Sequence, residues 1–206
     1  MKQHPVRFIW NILIAGFMTL GVLMAFFTTA ENALLISGFS VLRYFTTLSN
    51  IYAGIVAVIF LIFSFRPEMP RFVTCLKYNS AAAVGLTFFV VIGFLGLIYG
   101  YPMMYQGANF WLHLIVPVMA MGEFIVTKNE GMKWLDNLLC VVPMFCYGVW
   151  YMSNAAINGV EKNDWYAFIR WGWPIGIVIF AVLMVVTFLI GLGLRGGRAI
   201  VARKKN

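Results

Sequence analysis

The chain has 206 residues, of which 62% are hydrophobic and only 11% are charged, with a formal net charge of +8. A soluble domain is about half apolar and about a quarter charged, so this chain lacks the polar side chains that would cover a water-facing surface. The composition excludes a soluble globular protein and predicts a single-domain, all-α polytopic membrane protein.

Six apolar runs follow one another along the chain, each near the twenty residues that a helix needs to cross a bilayer. The first follows Lys2 and Arg7 as in a signal peptide, but its apolar core is too long and no Ala-x-Ala site follows it, so we expect a retained helix. A basic tail at 195–206 ends the chain. The predicted spanning helices lie at roughly 7–27, 43–65, 80–100, 109–127, 133–153 and 172–194.

The distribution of lysine and arginine predicts the orientation of the bundle. With the N-terminus in the cytoplasm, twelve of the 15 basic residues fall on the cytoplasmic side. The positive-inside rule therefore predicts that both termini are cytoplasmic. The tail "RGGRAIVARKKN" is explained as a topology signal that also contacts anionic lipid headgroups, and no nucleic-acid partner is required.

A polar cluster stands at the start of the second run, in "RYFTTLSNIYAG" (43–54). Bilayer interiors penalise polar groups, so such a cluster is either a helix start or a site. Thr47 in this cluster and His113 in the fourth run both lie about 6 Å below the outer ends of their helices, at 1.5 Å per residue. The two side chains can meet if these helices are neighbours, which the sequence does not decide.

The two helices present polar and small residues on the relevant faces. Thr47 and Asn50 share a stripe with small residues below them, and His113 shares a face with Pro117. Because Pro117 has no N–H to donate to the carbonyl of His113, a kink is predicted there. A histidine inside a spanning helix usually faces the bundle interior, either as a structural hydrogen-bonding group or as part of a site.

Glu123 is a second polar position to explain. It lies about 15 Å along the axis from His113 and on a different face, so it is not a direct partner of His113. We expect it to pair with Lys128 or with a tyrosine, and it remains a possible polar site. Tryptophan and tyrosine residues gather near the outer helix ends, and an interfacial aromatic belt is the interpretation for most of them: Tyr99, Tyr101, Tyr105, Trp111, Trp150, Tyr151, Trp165, Tyr166, Trp171 and Trp173.

No cofactor or metal site is predicted. A single intramembrane histidine has no second histidine or acidic pair to complete a zinc site, and the three cysteines have no metal spacing. The chain contains no G-x-S-x-G elbow, no H-E-x-x-H motif and no phosphate loop. What remains is a hydroxyl-rich helix start opposite a histidine.

A hydroxyl next to a histidine can act as a nucleophile. A hydroxyl is a poor nucleophile until a base removes its proton, and a neutral histidine can do so and later protonate the leaving group. In this interpretation Asn50 donates to a developing oxyanion, and Thr46 and Ser49 are structural hydroxyls. The alternative is that these residues only cap the helix or bond back to the preceding turn.

Two short segments resemble a known family. "FTTLSN" (45–50) resembles the Phe-x-Thr-x-x-Asn element of the androgen-induced protein and androgen-dependent TFPI-regulating protein family, and "HLIVP" (113–117) is similar to its histidine segment. These are multi-spanning threonine hydrolases that cleave fatty-acid esters of hydroxy fatty acids. The resemblance implies that Thr47 is the nucleophile and His113 the catalytic histidine. It also implies a bacterial relative of the family, with the cytoplasmic (inner) membrane as the expected location.

Three functions therefore compete. The leading prediction is an intramembrane lipid-ester hydrolase, whose acyl chains enter from the membrane and whose Thr47 and His113 lie beside an apolar tunnel. The alternative is a small-molecule or lipid transporter or binding protein without catalysis, which predicts a polar cavity from His113 to Glu123. The third is a purely structural membrane subunit with a packed centre.

Overall fold

A computed structural model describes residues 5–28, 37–66, 68–126 and 132–203, and these residues form helices without any strand. Six of the helices are long and apolar enough to cross a membrane, which confirms the predicted all-α bundle. We number these spanning helices α1 to α6. They are α1 (Pro5–Phe27), α2 (Phe45–Phe63), α3 (Arg71–Tyr99), α4 (Ala108–Val126), α5 (Trp134–Asn158) and α6 (Trp173–Arg203).

The predicted start of α3 is wrong by nine residues. Polar side chains between Arg71 and Ser80 lower the local hydropathy, so the sequence predicts a helix start at 80, whereas these side chains are largely buried against other helices. Lys77, which the sequence assigns to a cytoplasmic connection, lies inside the bundle and is only 4% exposed. Burial with polar partners replaces the hydrophobic signal that normally marks a spanning helix.

Two other helices are longer than predicted. Helix α5 runs to Asn158 instead of 153, and α6 continues to Arg203. Most of the basic tail is therefore a helical extension of α6, while residues 204–206 lie outside the described part of the chain. Arginines favour the interior of a helix about as well as leucine does, so the basic composition does not end the helix.

Helix α3 is the centre of the bundle. It packs against α2, α4, α5 and α6, and its residues 77–87 are buried without interruption. Small residues dominate this stretch and allow neighbouring backbones to approach closely. On α6, Gly191 serves the same purpose, because a Cβ there would lie 2.5 Å from the Tyr78 hydroxyl and 2.7 Å from the Cys140 sulfur.

An apolar layer crosses the middle of the bundle and separates two polar regions. It is built from α1, α2, α3 and α4, and five of its six residues are at most 2% exposed. Thr47, Asn50 and His113 lie on one side of it, and Glu123 lies on the other. The members of this apolar layer are Ile14, Ala53, Ala57, Val84, Val116 and Ala120.

Candidate functional site

The first two turns of α2 hold the polar cluster in fixed positions. The carbonyl of Thr46 accepts hydrogen bonds from the Ser49 hydroxyl (3.1 Å) and from the Asn50 amide (2.7 Å). The Ser49 hydroxyl also lies 3.2 Å from the hydroxyl of Thr87 on α3. Ser49 therefore links α2 to α3, and its hydroxyl is occupied by structural contacts.

Thr47 differs from Ser49 and Asn50, whose side chains form hydrogen bonds within the cluster. Its residue is 5% exposed, and its hydroxyl forms no hydrogen bond within the described part of the chain. The carbonyl four residues earlier, that of Arg43, instead accepts from the Tyr147 hydroxyl at 2.8 Å. Three other threonines do bond back to the carbonyl four residues earlier: Thr19, Thr28 and Thr187. The back-bonding that occupies these three threonines thus does not account for Thr47.

A direct hydrogen bond joins α2 to α4. The Asn50 amide donates to the carbonyl of Leu112 at 2.9 Å. Carbonyls point to the C-terminal end of a helix and side chains lean to the N-terminal end, so Leu112 lies above Asn50, near the depth of Thr47. The two predicted site helices are neighbours, and the segments carrying Thr47 and His113 lie at similar depth.

The hydrogen bond to Leu112 argues against the predicted role of Asn50 as a donor to an oxyanion. Both hydrogens of its amide are used, one on Thr46 and one on Leu112, while its buried carbonyl oxygen has no partner among the described residues. An oxyanion would have to displace one of these acceptors. In the structure Asn50 therefore fixes the distance between α2 and α4 and does not present a donor to a ligand.

Helix α4 widens into a π-helical turn at Trp111–Ile115, which contains His113. The N–H of Val116 bonds to the carbonyl of Trp111, five residues back, just before Pro117. The predicted kink is therefore accommodated as a wide turn, because the proline cannot donate to the usual carbonyl. Such single π turns occur often at functional sites, since the extra residue redirects a side chain.

A backbone carbonyl fixes the tautomer of His113. The Nδ1 atom lies 2.8 Å from the carbonyl oxygen of Met104, and the imidazole is 8% exposed. A carbonyl only accepts, so Nδ1 carries the proton and Nε2 keeps its lone pair; this assignment follows from the hydrogen bond. Nε2 bonds to no described residue. An oriented neutral histidine with an open Nε2 is the form that acts as a general base.

Met104 reaches His113 through a structured loop. It ends a short helix, Tyr101–Met104, between Gly100 and Gly107, which both have positive φ. The Tyr101 hydroxyl donates to the carbonyl of Ile92 in a second π-helical turn, Val91–Leu95 of α3. The sequence could not reveal this orienting contact, because the acceptor is a main-chain atom in a loop.

Thr47 and His113 do not form a hydrogen bond with each other in the structure. The geometry instead supplies adjacent helices, a hydroxyl without a partner and an imidazole whose Nδ1 is fixed. Catalytic hydrogen bonds are often loose without substrate and tighten when it binds, so the missing bond does not by itself exclude Thr47 and His113 as a pair. Thr46 contributes its carbonyl to the cluster and no hydroxyl hydrogen bond to a described residue.

An aromatic cluster completes the N-terminal end of α2. The Tyr166 hydroxyl accepts a hydrogen bond from the backbone N–H of Phe45 at 2.9 Å, and burial raises the pKa of Tyr166 to about 12. The phenol therefore stays neutral. Tyr151 is fully buried and packs edge-on against Trp165, with ring centroids 4.8 Å apart. These residues pack on one another between α2, α5 and the following loop, whereas Tyr99, Trp150 and Trp171 of the predicted belt are 48%, 44% and 66% exposed.

Glu123 has different partners from those expected. Its carboxylate lies 3.0 Å from Arg7 Nε, 3.3 Å from Lys77 Nζ and 3.3 Å from the Asn11 amide. Lys77 also contacts the Asn11 side-chain oxygen. The expected partner Lys128 lies outside the described residues. This cluster joins α1, α3 and α4, and sequence reasoning missed it because Arg7 and Lys77 are assigned to connections there.

Two cavities occur away from Thr47 and His113. One of about 400 Å³ is lined by Arg71, Cys75, Asn79 and Asp136, among others, and one of about 810 Å³ lies between α3, α4 and α6. Neither includes a residue of the polar cluster on α2. No group of three or more potential metal-ligating side chains occurs among the described residues.

Comparison of this chain with protein-family models, with curated proteins and with solved structures finds no match.

Proposed function

We propose that the protein is an intramembrane lipid-ester hydrolase with Thr47 as the nucleophile and His113 as the base. The observation that carries the proposal is the hydrogen bond from His113 Nδ1–H to the Met104 carbonyl, which leaves Nε2 able to accept a proton. The unpartnered hydroxyl of Thr47 on the neighbouring helix is the group that it would activate. The Met104 carbonyl fixes the tautomer and orientation of this histidine, which is one of the two roles that an aspartate has in a serine hydrolase triad.

The reaction has two halves. The Thr47 oxygen attacks the ester carbonyl while His113 Nε2 takes its proton, and the tetrahedral intermediate expels the alcohol, which receives that proton. Water then attacks the acyl-Thr47 ester with His113 again as base. This releases the fatty acid and restores the Thr47 hydroxyl. Each half moves one proton through Nε2, so no cofactor is needed.

The substrate class follows from location and resemblance. A site near one end of the spanning helices favours an ester with long acyl chains whose carbonyl lies near the headgroups. The resemblance of "FTTLSN" and "HLIVP" to the threonine hydrolase family favours fatty-acid esters of hydroxy fatty acids. The products would be a fatty acid and a hydroxy fatty acid.

The transporter alternative has less support. It requires a polar path between His113 and Glu123, and the apolar layer of closely packed, buried residues separates them. The purely structural alternative accounts for Asn50 and Ser49, whose donors bridge helices. It leaves the Thr47 hydroxyl and His113 Nε2 without a role.

The test is a hydrolysis assay on the purified protein in detergent. A fatty-acid ester of a hydroxy fatty acid, a triacylglycerol and a phospholipid are supplied separately, and released fatty acid is measured by mass spectrometry. We expect release from the first substrate well above a matched preparation without the protein. Absence of release from all three would refute the proposal.

We also propose that both termini are cytoplasmic and that the chain resides in the bacterial inner membrane. Among the described residues, most lysines and arginines lie at the end of the bundle that carries Arg7, Arg71 and Arg198, and few lie near Arg43. This asymmetry supports a cytoplasmic location for that end. Fusions of a periplasm-active and a cytoplasm-active reporter at residues 104 and 206 should report opposite sides. The same side for both positions would contradict this topology.

A further inference from the structure

An apolar groove runs along the outside of the bundle between α3, α4 and α6. It has a volume of about 810 Å³, and its lining is entirely hydrophobic or glycine. Val118 and Leu189 in its walls are 45% and 59% exposed, so the groove opens at the surface of the bundle. It spans about eight residues of α4 and of α6, which corresponds to roughly 11 Å of depth in the bilayer.

A missing side chain keeps the groove open. Gly193 on α6 forms part of its wall, and a Cβ at this position would meet no atom within 4 Å. A larger residue there would extend into the groove without disturbing the packing of the helices. The glycine at position 193 is therefore not required for close packing between helices.

The groove leads toward arginine at the basic end of the bundle. Ile190 and Leu194 line it, and Arg198 follows one turn later on the same stripe of α6. The Arg198 guanidinium lies 5.7 Å from the centre of the Phe124 ring, and Gly197 packs near Ile125, which also lines the groove. An arginine at the end of an apolar groove is positioned at the level of lipid headgroups.

We propose that this groove binds an anionic phospholipid of the surrounding bilayer, with an acyl chain along α4 and α6 and the phosphate at Arg198. The apolar lining matches the acyl chain, and the basic end of the bundle matches the anionic headgroup. A second copy of the chain fits less well. A two-fold dimer with its axis normal to the membrane would bring two sets of like charges together at this end. The groove excludes Thr47 and His113, so this proposal is independent of the proposed catalysis.

The test fills the groove and compares lipid retention. Native mass spectrometry is performed on the full-length protein mixed with phosphatidylglycerol or phosphatidylcholine. Gly193→Phe is expected to reduce the bound fraction of phosphatidylglycerol at least tenfold. The matched control is Gly16→Phe on α1, because Gly16 is also an exposed helical glycine where a Cβ would meet no atom within 4 Å. It should retain the lipid as the unsubstituted protein does.

A second pair of variants tests the headgroup. Arg198→Gln is expected to lower the preference for phosphatidylglycerol over phosphatidylcholine about fivefold, since one basic residue near the surface contributes about that much. Arg203→Gln, five residues further along and on another face of the same helix, should lower the preference clearly less than Arg198→Gln does. Equal lipid retention in Gly193→Phe and Gly16→Phe would overturn the groove assignment. A dimer that Gly193→Phe abolishes would also overturn it, by identifying a second copy as the occupant. Unchanged preference in Arg198→Gln would overturn the headgroup assignment.

Discussion

Thr47→Ala is expected to reduce the release of fatty acid to the background of the assay, with little change in stability. The hydroxyl makes no hydrogen bond that the fold would lose within the described residues, so its removal should affect chemistry alone. His113→Gln should lower turnover at least about a hundredfold, the contribution typical of a general base. Because the two act as one unit, the double variant should be little worse than either single one. Turnover and thermal unfolding are measured on the same preparations.

The neighbouring hydroxyls provide matched controls. Thr46→Ala should keep most of the activity. Ser49→Ala should keep activity but lose about 1 kcal/mol of stability, because Ser49 bonds to the Thr46 carbonyl and approaches Thr87. Thr47→Ser retains a hydroxyl and should keep part of the turnover. Full activity in Thr47→Ala would end its assignment as the nucleophile. Equal losses of activity and stability at positions 46, 47 and 49 would instead support a helix-capping role.

Glu123→Gln is expected to have the largest effect on stability. The substitution preserves the shape of the side chain and removes the negative charge that lies between Arg7 and Lys77, in a position that is 0% exposed. Breaking a buried ion pair by removing one partner typically costs about 3–5 kcal/mol, because an uncompensated charge is left behind. The free energy of unfolding in detergent measures the loss. Glu68→Gln, at an exposed position, should cost less than about 0.5 kcal/mol.

A double variant separates charge from packing. Glu123→Leu combined with Lys77→Met removes the carboxylate and the more deeply buried of its two cations, and leaves Arg7. It should be more stable than Glu123→Gln alone, because one cation instead of two loses its partner. If Glu123→Gln and the unsubstituted protein have the same free energy of unfolding, the ion pairs of Glu123 with Arg7 and Lys77 do not stabilise the fold.

The bundle itself was predictable because each of the six spanning helices contains a long apolar run. Helix α3 was only partly predictable. Its first turns contain Lys77, whose burial depends on Asn11 of α1 and Glu123 of α4, and these partners are distant in the chain. Hydropathy measures the cost of placing such residues in lipid and cannot register that another helix supplies the compensating group.

Thr47 and His113 could be proposed from the sequence because depth along a helix follows from residue count. The features that orient them could not. The Met104 carbonyl acts on His113 through the main chain, which has no residue-specific signal. Tyr166 reaches the start of α2 from a loop 121 residues later in the chain. Such contacts depend on which helices are neighbours, and the sequence left that open.

The contact between Tyr166 and Phe45 has a consequence for biosynthesis. At about 5–20 residues per second, the ribosome makes Tyr166 on the order of ten seconds after Phe45. During that interval the start of α2 lacks the acceptor that Tyr166 provides for its backbone N–H, and the aromatic cluster above Thr47 has not formed. The segment that carries the candidate nucleophile is therefore completed only after α5 and the loop behind it have emerged. A ribosome-bound chain stopped before Tyr166 would contain Thr47 and His113 but not the finished end of the helix.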